Sequence, residues 1–340
     1  MVLDPTHAAP SAPVRLGMVR LTDAAPIVYA QVHGLFAAEG LDATIHVEPS
    51  WANIADKLAW GLLDGAVLLP PLAIAMVLGL RGPATPLVVP AGISLNGNAI
   101  TLSCSLAGPI LVAGRPTPAA AADGLRRILT ARPRIAVVHA FSTHDLFLRL
   151  FLEQGGIDPA TVDISVIPPA DMVAALQAGS IDGFCAGAPW GAVAAQQGVG
   201  RTVAVTSDLW HNHPEKCLAV RAAWADAHPD ALLALIRATL RAGQACDSVQ
   251  DAPALATMLA RPEWLDVAAP LIAASLPGGA GGDVDVSVFA AHAASVPNPE
   301  HARWFVRQMS RWRDLPEDAE AAAVGLYRPD LHEQAVASSG

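Results

Sequence analysis

Lysine is nearly absent from this chain. Of its 21 basic residues only Lys57 and Lys216 are lysines, and the rest are arginines. The bias reads as genome composition, yet it makes each lysine slightly more informative. Charge of either sign is also scarce: 15% of the 340 residues are charged and 53% are hydrophobic. Large buried cores are therefore expected and disorder is not. The net charge is −10 with no basic patch, which argues against direct nucleic-acid binding. The four cysteines, Cys104, Cys185, Cys217 and Cys246, have no CxxC or paired spacing, so reduced, buried thiols are expected. The longest apolar run, residues 66–80, holds 15 residues and is interrupted by Pro70-Pro71, too short and too broken for a membrane span. No G-x-S-x-G, P-loop G-K-[ST] or H-E-x-x-H motif occurs. The start, MVLDPTHAAPSAPVRLG, has no early Lys or Arg and no apolar stretch before Val14. It does not read as a leader, and a cytoplasmic location is the expectation.

What is present is an alternation of short apolar runs with amphipathic segments, which predicts an α/β architecture with parallel sheets. A length of 340 residues suits two lobes better than one. Strands are expected at 14–19, 41–47, 66–69, 87–89, 100–102, 135–138, 162–167, 202–205 and 217–220, with another around Phe184. Helices are expected between them, one of them over 26–38, and almost exclusively after Ala222. The stretch IAVVHAFSTHDLFLRLFLEQGG (135–156) is the clearest unit. A strand turns into a helix that Ser142 or Thr143 can cap and Gly155-Gly156 stops. Asp145, Arg149 and Glu153 recur every four positions and predict one solvated stripe. The helix start offers free N–H groups and a positive dipole end, an anion site with His144 beside it. A faint internal echo links LAWGLLDG (58–65) to LQAGSIDG (176–183). It reads either as common turn chemistry or as two similar lobes in tandem.

Several polar or amphipathic residues fall at predicted strand-to-helix turns, and open α/β sheets collect ligands at the carboxyl ends of their strands. They are Trp51, Gly97 with Asn98, His144 and Lys216. Each has a plainer alternative. Trp51 can be a core residue of its helix, Asn98 a turn former, His144 a surface residue near a cap, and Lys216 a solvated strand edge. Together they would suit a small anion: one cation, two side-chain donors, helix N–H groups and a flat aromatic wall. His211, His213 and Cys217 look metal-like, but they lack a matching second pair and Pro214 bends the segment. The glycines of 277–282 have no following lysine and read as a flexible turn.

Segments SWANIADKL (50–58), NGNAITL (96–102), FSTHDLFLR (141–149), APW (188–190), DLWHNHPEKC (208–217) and YRPDL (327–331) occur in that order. In combination they resemble the NrtA/NasS nitrate-binding protein family, from about Val14 to the last helix. The resemblance implies a type II periplasmic-binding-protein fold, two α/β lobes with a ligand cleft between them. The expected division is 14–103 with 218–340 in one lobe and 104–217 in the other. It implies no enzyme activity, cofactor or metal, and a ligand held by Trp51, Asn98, His144 and Lys216, with Gly97 beside them. The family's glutamine falls on Asn98, one methylene shorter. Bicarbonate-binding members carry an acidic residue in place of the lysine, with calcium, so Lys216 implies a metal-free site. Nitrate or nitrite, acceptors only, would need donors all round, one compensating charge and no carboxylate nearby. Of the family, the cytosolic sensor NasS is the expected counterpart, with an RNA-binding antiterminator of NasT type as partner and the helices after Ala222 as a default partner surface. A periplasmic uptake receptor for nitrate, cyanate or bicarbonate, or an enzyme on the same fold, are the alternatives.

Overall fold

The computed structural model describes residues 12–279 and 284–338. The reading of the first eleven residues, and Gly281 and Gly282 of the expected turn, lie outside them. The first sheet opens with Ala12–Met18 (β1), Leu41–Val47 (β2), Gly65–Leu68 (β3) and Leu87–Leu95 (β4). The second holds Asn98–Ser103 (β5), Arg134–Val137 (β6), Asp163–Val166 (β7), Gly183–Gly187 (β8) and Gly200–Val205 (β9). The chain then returns to the first sheet with Pro214–Arg221 (β10). The helices up to that return are Ala25–Val32 (α1), Leu35–Ala38 (α2), Trp51–Ala59 (α3), Pro70–Val77 (α4), Cys104–Ile110 (α5), Pro118–Ile128 (α6), Thr143–Gln154 (α7), Pro169–Gln177 (α8) and Trp190–Gln196 (α9).

Local chemistry explains most of these boundaries. Ser50 caps α3 by accepting the Asn53 N–H at 3.2 Å, and the helix buries Trp51, Ile54, Ala55 and Leu58 on one face. Ser142, not Thr143, caps α7, accepting the Asp145 N–H at 3.0 Å. The single helix expected over 26–38 is two, because Gly34 takes a left-handed conformation (φ 69°) between α1 and α2. Helix α5, which contains Pro109, was not expected from the sequence.

The sheets are mixed, not parallel. Their orders are β2-β1-β3-β10-β4 and β7-β6-β8-β5-β9. In each, the fourth strand runs antiparallel to both neighbours. That strand is the one that has crossed over from the other sheet. The crossings fall between Leu95 and Asn98 and between Val205 and Pro214. Boundaries at 103/104 and 217/218 therefore assign β5 and the first half of β10 to the wrong sheet. Periodicity could not reveal this, because a short buried strand looks alike in either sheet.

The internal echo is structural. Asp64 follows Gly61 (φ 72°) and accepts from Arg15 N at 2.9 Å, Nε at 2.9 Å and Nη2 at 2.7 Å. Asp182 follows Gly179 (φ 67°) and accepts from Arg134 N at 2.8 Å, Nε at 3.2 Å and Nη2 at 2.7 Å. The same helix stop and aspartate clamp thus join β3 to β1 and β8 to β6, at matching places in both sheet orders.

After β10 the chain is mostly helical, as expected. Pro229–Cys246 packs on α1, and Pro299–Met309 packs on α4. The segment after the latter reaches the other lobe. Arg311 pairs with Glu153 at 2.7 Å, Arg313 lies 3.6 Å from Asp145, and the Arg313 guanidinium donates to the Ala140 carbonyl at 2.5 Å. The predicted solvated stripe of α7 is therefore an inter-lobe contact. Asp145 is buried against Arg149 at 2.9 Å, because the opposite lobe covers the helix.

Candidate functional site

The two crossing strands explain why the expected site residues meet. Asn98 opens β5 and Lys216 lies near the start of β10. Both strands are antiparallel to their neighbours, so their first residues sit beside the last residues of parallel strands. His144 is in the first turn of α7, after β6, and Trp51 opens α3, after β2. Neither Asn98 nor Lys216 is at a strand-to-helix turn. They reach the ligand end of the sheets by reversed strand direction.

Lys216 is the hub. Its Nζ lies 2.8 Å from Asp23 Oδ2, 2.5 Å from Glu215 Oε1 and 5.5 Å from the centre of the Trp51 ring. Glu215 Oε1 lies 3.6 Å from His144 Nε2. On the other side, bare Gly187 separates Asp23 from Asn98. A Cβ placed there would stand 3.4 Å from Asp23 Oδ2 and 3.3 Å from Asn98 Oδ1. Trp51, Asn98, His144 and Lys216 are thus gathered around one point, each at most 1% exposed.

Gly97 plays a different part from the one expected. With φ 91° it turns the chain into β5, its N–H donates to Asp285 at 3.1 Å, and its carbonyl accepts from Ala188 N at 2.9 Å. Both its backbone groups are used within the fold.

Asp23 and Glu215 are the correction to a site without carboxylates. Asp23 sits in the 3-10 turn Thr22–Ala24 after β1. From sequence it reads as an ordinary acidic residue at a helix start, and no motif singled it out. Glu215 lies inside the recognised segment DLWHNHPEKC, but strand alternation would put it on the face opposite Lys216. The ladder between β10 and β4 is irregular on both sides of Lys216. Such bulges re-aim side chains, and here they bring both neighbours to one spot.

Burial and charge set the protonation states. Burial alone would push the Lys216 ammonium down, but Asp23 and Glu215 outweigh it, raise its pKa and keep it charged. Burial lowers His144 well below its ordinary value, with the Lys216 charge adding to this, so the imidazole is neutral. Burial also raises Asp23, against the attraction of Lys216. Glu215 is pushed up to about 7, by burial first, with Lys216 opposing.

The donors around Lys216 have spare capacity. Asn98 Nδ2 and Oδ1, Trp51 Nε1 and both ring nitrogens of His144 are buried without a hydrogen-bond partner among the described residues. Buried polar groups are rarely left so. Trp51 therefore offers an indole N–H as well as the expected apolar wall. A cation among such donors has the chemistry to hold a small acceptor-rich anion. Direct bonds join the two lobes: Thr22 N donates to the Ala188 carbonyl at 2.9 Å, and Trp190 Nε1 to the Arg20 carbonyl at 3.1 Å.

The metal-like trio does not come together as a ligand set. His213 faces Thr206 at 2.7 Å, Cys217 donates to the Leu68 carbonyl at 3.4 Å, and no metal-holding cluster occurs among the described residues. No helix among them is long and apolar enough to cross a membrane.

Residues 7–260 match the model of the NMT1-like family. The chain belongs to that family, and within it to the NrtA-like binding proteins. It is 35% identical to the nitrate/nitrite binding protein NrtA of Synechococcus elongatus, over 96% of this chain and 78% of the relative. The crystal structure of the periplasmic nitrate-binding protein NrtA from Synechocystis superposes with a TM-score of 0.88 at 30% identity, covering 98% of this chain and 90% of that one. Identity is also 35% to the nitrate import ATP-binding protein NrtC of Synechocystis, over 94% of this chain but only 49% of that longer protein. The chain therefore spans about half the length of some curated relatives. The bicarbonate transport ATP-binding protein CmpC of Synechocystis matches at the same 35%, over 91% of this chain and 47% of its own. Overall identity does not separate nitrate from bicarbonate; the residues of the site must. The similarity places the chain with binding proteins rather than enzymes.

Proposed function

We propose that this protein binds nitrate or nitrite between its two lobes. The single observation behind this is Lys216, a fully buried ammonium with unpartnered neutral donors on several sides. A small monoanion presents only acceptors and needs such a surround. Lys216 would supply the Coulomb attraction, while His144, Asn98 and Trp51 would supply directed hydrogen bonds. The relatives named for nitrate support the choice of ligand. The relatives named for bicarbonate do not weigh against it, because the resemblance implies an acidic residue at this position in bicarbonate-binding members, and here it is Lys216.

For the whole protein, the reading is a cytoplasmic nitrate/nitrite sensor. Ligand-driven lobe closure would change the surface offered to an RNA-binding antiterminator of NasT type, and so regulate nitrate assimilation. A tenfold change in partner affinity needs only about 1.4 kcal/mol of coupling. The second reading, an uptake receptor of an ABC transporter, is favoured by the likeness to a periplasmic NrtA.

Calorimetry with nitrate, nitrite, bicarbonate and cyanate in parallel tests the ligand. Nitrate or nitrite is expected to bind and bicarbonate not to; bicarbonate binding alone would overturn the assignment. Pull-down of an antiterminator of NasT type with and without nitrate tests the sensor role, which nitrate-insensitive or absent capture would overturn.

A further inference from the structure

The charges of the buried cluster do not balance once an anion enters. Lys216 carries one positive charge, Asp23 and Glu215 carry one negative charge each when ionised, and His144 and His213 are held neutral by burial. The sum is already −1. A monoanion beside Lys216 would make it −2, in a place where every one of these groups is at most 4% exposed. Uncompensated buried charge costs several kcal/mol per ion.

One of the two carboxyl groups can relieve this by taking a proton, and the surroundings distinguish them. Asp23 lies at the start of α1, where the positive helix dipole end favours its anion. Glu215 is on a strand, and its neighbours at the start of α7 are side chains, the neutral His144 imidazole at 3.6 Å and the Thr143 hydroxyl. Glu215 Oε1 shares Lys216, and its Oε2 has no hydrogen-bond partner among the described residues. The titratable groups facing it are Lys216 and Cys217 on its own strand, Asp23 after β1, His144 on α7, His213 before β10 and Cys185 on β8. Of these only Lys216 is positive, and an incoming anion would compete for it.

Resting on the anion reading above, we propose that the site takes up its anion together with one proton, which comes from solvent and settles on Glu215. The bound state is then a monoanion beside a neutral carboxylic acid, whose O–H is one more donor in the pocket. Burial already raises Glu215 to about 7, the direction this requires. A bound state that holds more protons than the free state gains affinity as pH falls. Where Glu215 is ionised in the free protein, affinity drops tenfold per pH unit as pH rises.

The test is calorimetry with sodium nitrate at constant ionic strength, from about pH 6 to about pH 9, in buffers of different ionisation enthalpy. About one proton taken up per nitrate at the alkaline end is expected, falling towards none at the acid end. Glu215→Gln is expected to bind nitrate with no proton uptake and a flat pH profile. Nitrate binding to the wild-type chain without proton uptake across the range overturns the coupling and leaves the anion site standing. A Glu215→Gln protein that keeps the wild-type pH profile overturns the assignment to Glu215. If Glu215→Gln does not fold, the wild-type proton count decides alone. Failure of both nitrate and nitrite to bind at any pH sinks the anion reading itself, and the coupling with it.

Discussion

Asp285 Oδ2 lies 3.1 Å from the backbone nitrogen of Gly97, and this bond ties the C-terminal part of the chain to the first crossing between the sheets. The same carboxylate takes the Asn98 N–H at 3.3 Å and, at the second crossing, the Thr206 hydroxyl at 3.1 Å and the Ser207 N–H and hydroxyl at 3.2 and 2.5 Å. One buried side chain thus pins both connections between the lobes, next to the residue that begins β5 and enters the site. Asp285→Ala would strand several buried donors at once. We expect a loss of about 2–4 kcal/mol in urea unfolding and weaker anion binding, since Asn98 would lose its anchor. An unchanged unfolding midpoint would refute the pinning role.

Gly187 tests the geometry of the pocket. The three atoms nearest a methyl group there would all be side-chain atoms, Asn98 Oδ1 at 3.3 Å and Asp23 Oδ2 and Leu21 Cδ2 at 3.4 Å. Gly187→Ala is expected to lower nitrate affinity about tenfold, the equivalent of about 1.4 kcal/mol, with little change in thermal midpoint. Equal affinity in calorimetry would show that the ligand does not sit between these groups.

Asn98 separates function from stability. Its buried amide has no partner, so it costs stability and is explicable by ligand binding. Asn98→Leu should leave the ligand-free protein as stable or more so, while nitrate binding weakens by at least about 1 kcal/mol. A destabilised variant with unchanged affinity would assign Asn98 a structural role.

His139 gives a pH dependence with a definite sign. Burial, aided by the charge of Arg81, lowers it to about 4, while its Nδ1 accepts the Phe141 N–H at 3.0 Å. In the unfolded chain it titrates near the ordinary value of about 6.5. Between those two pH values the unfolded state binds the extra proton, so His139's contribution is fully present above about 6.5 and is lost as pH falls towards about 4. His139→Asn keeps an acceptor and removes the titration. The wild type should lose up to about 3 kcal/mol relative to this variant over that window. Parallel stability profiles in urea at pH values across it would contradict the assignment.

Arg313 is expected to hold the lobes together. It joins the segment after Pro299–Met309 to the Ala140 carbonyl and Asp145, and lies 4.6 Å over the Phe141 ring. Arg313→Ala should shift the population towards an open form, seen as a larger radius of gyration in solution scattering and a several-fold weaker nitrate affinity. Identical scattering and affinity would mean that closure rests elsewhere.

The sequence by itself determined the α/β alternation, the repeated glycine and Asp-Gly pattern of 58–65 and 176–183, and Lys216 with three of the residues that meet around it. These follow from local rules: periodicity, caps, turn residues and motif order act within a few positions of each other. Tertiary structure decided the rest. The reversed fourth strand of each sheet, the cover over the α7 stripe and the capture of Gly97 by Asp285 all depend on segments far apart in the chain. So do the two carboxylates beside Lys216: Asp23 arrives from almost two hundred residues away, and Glu215 turns inward only because β10 is irregular against β4. A linear pattern records which groups are available. The charge balance of a buried site is set by which of them the fold brings within a few ångströms, away from water.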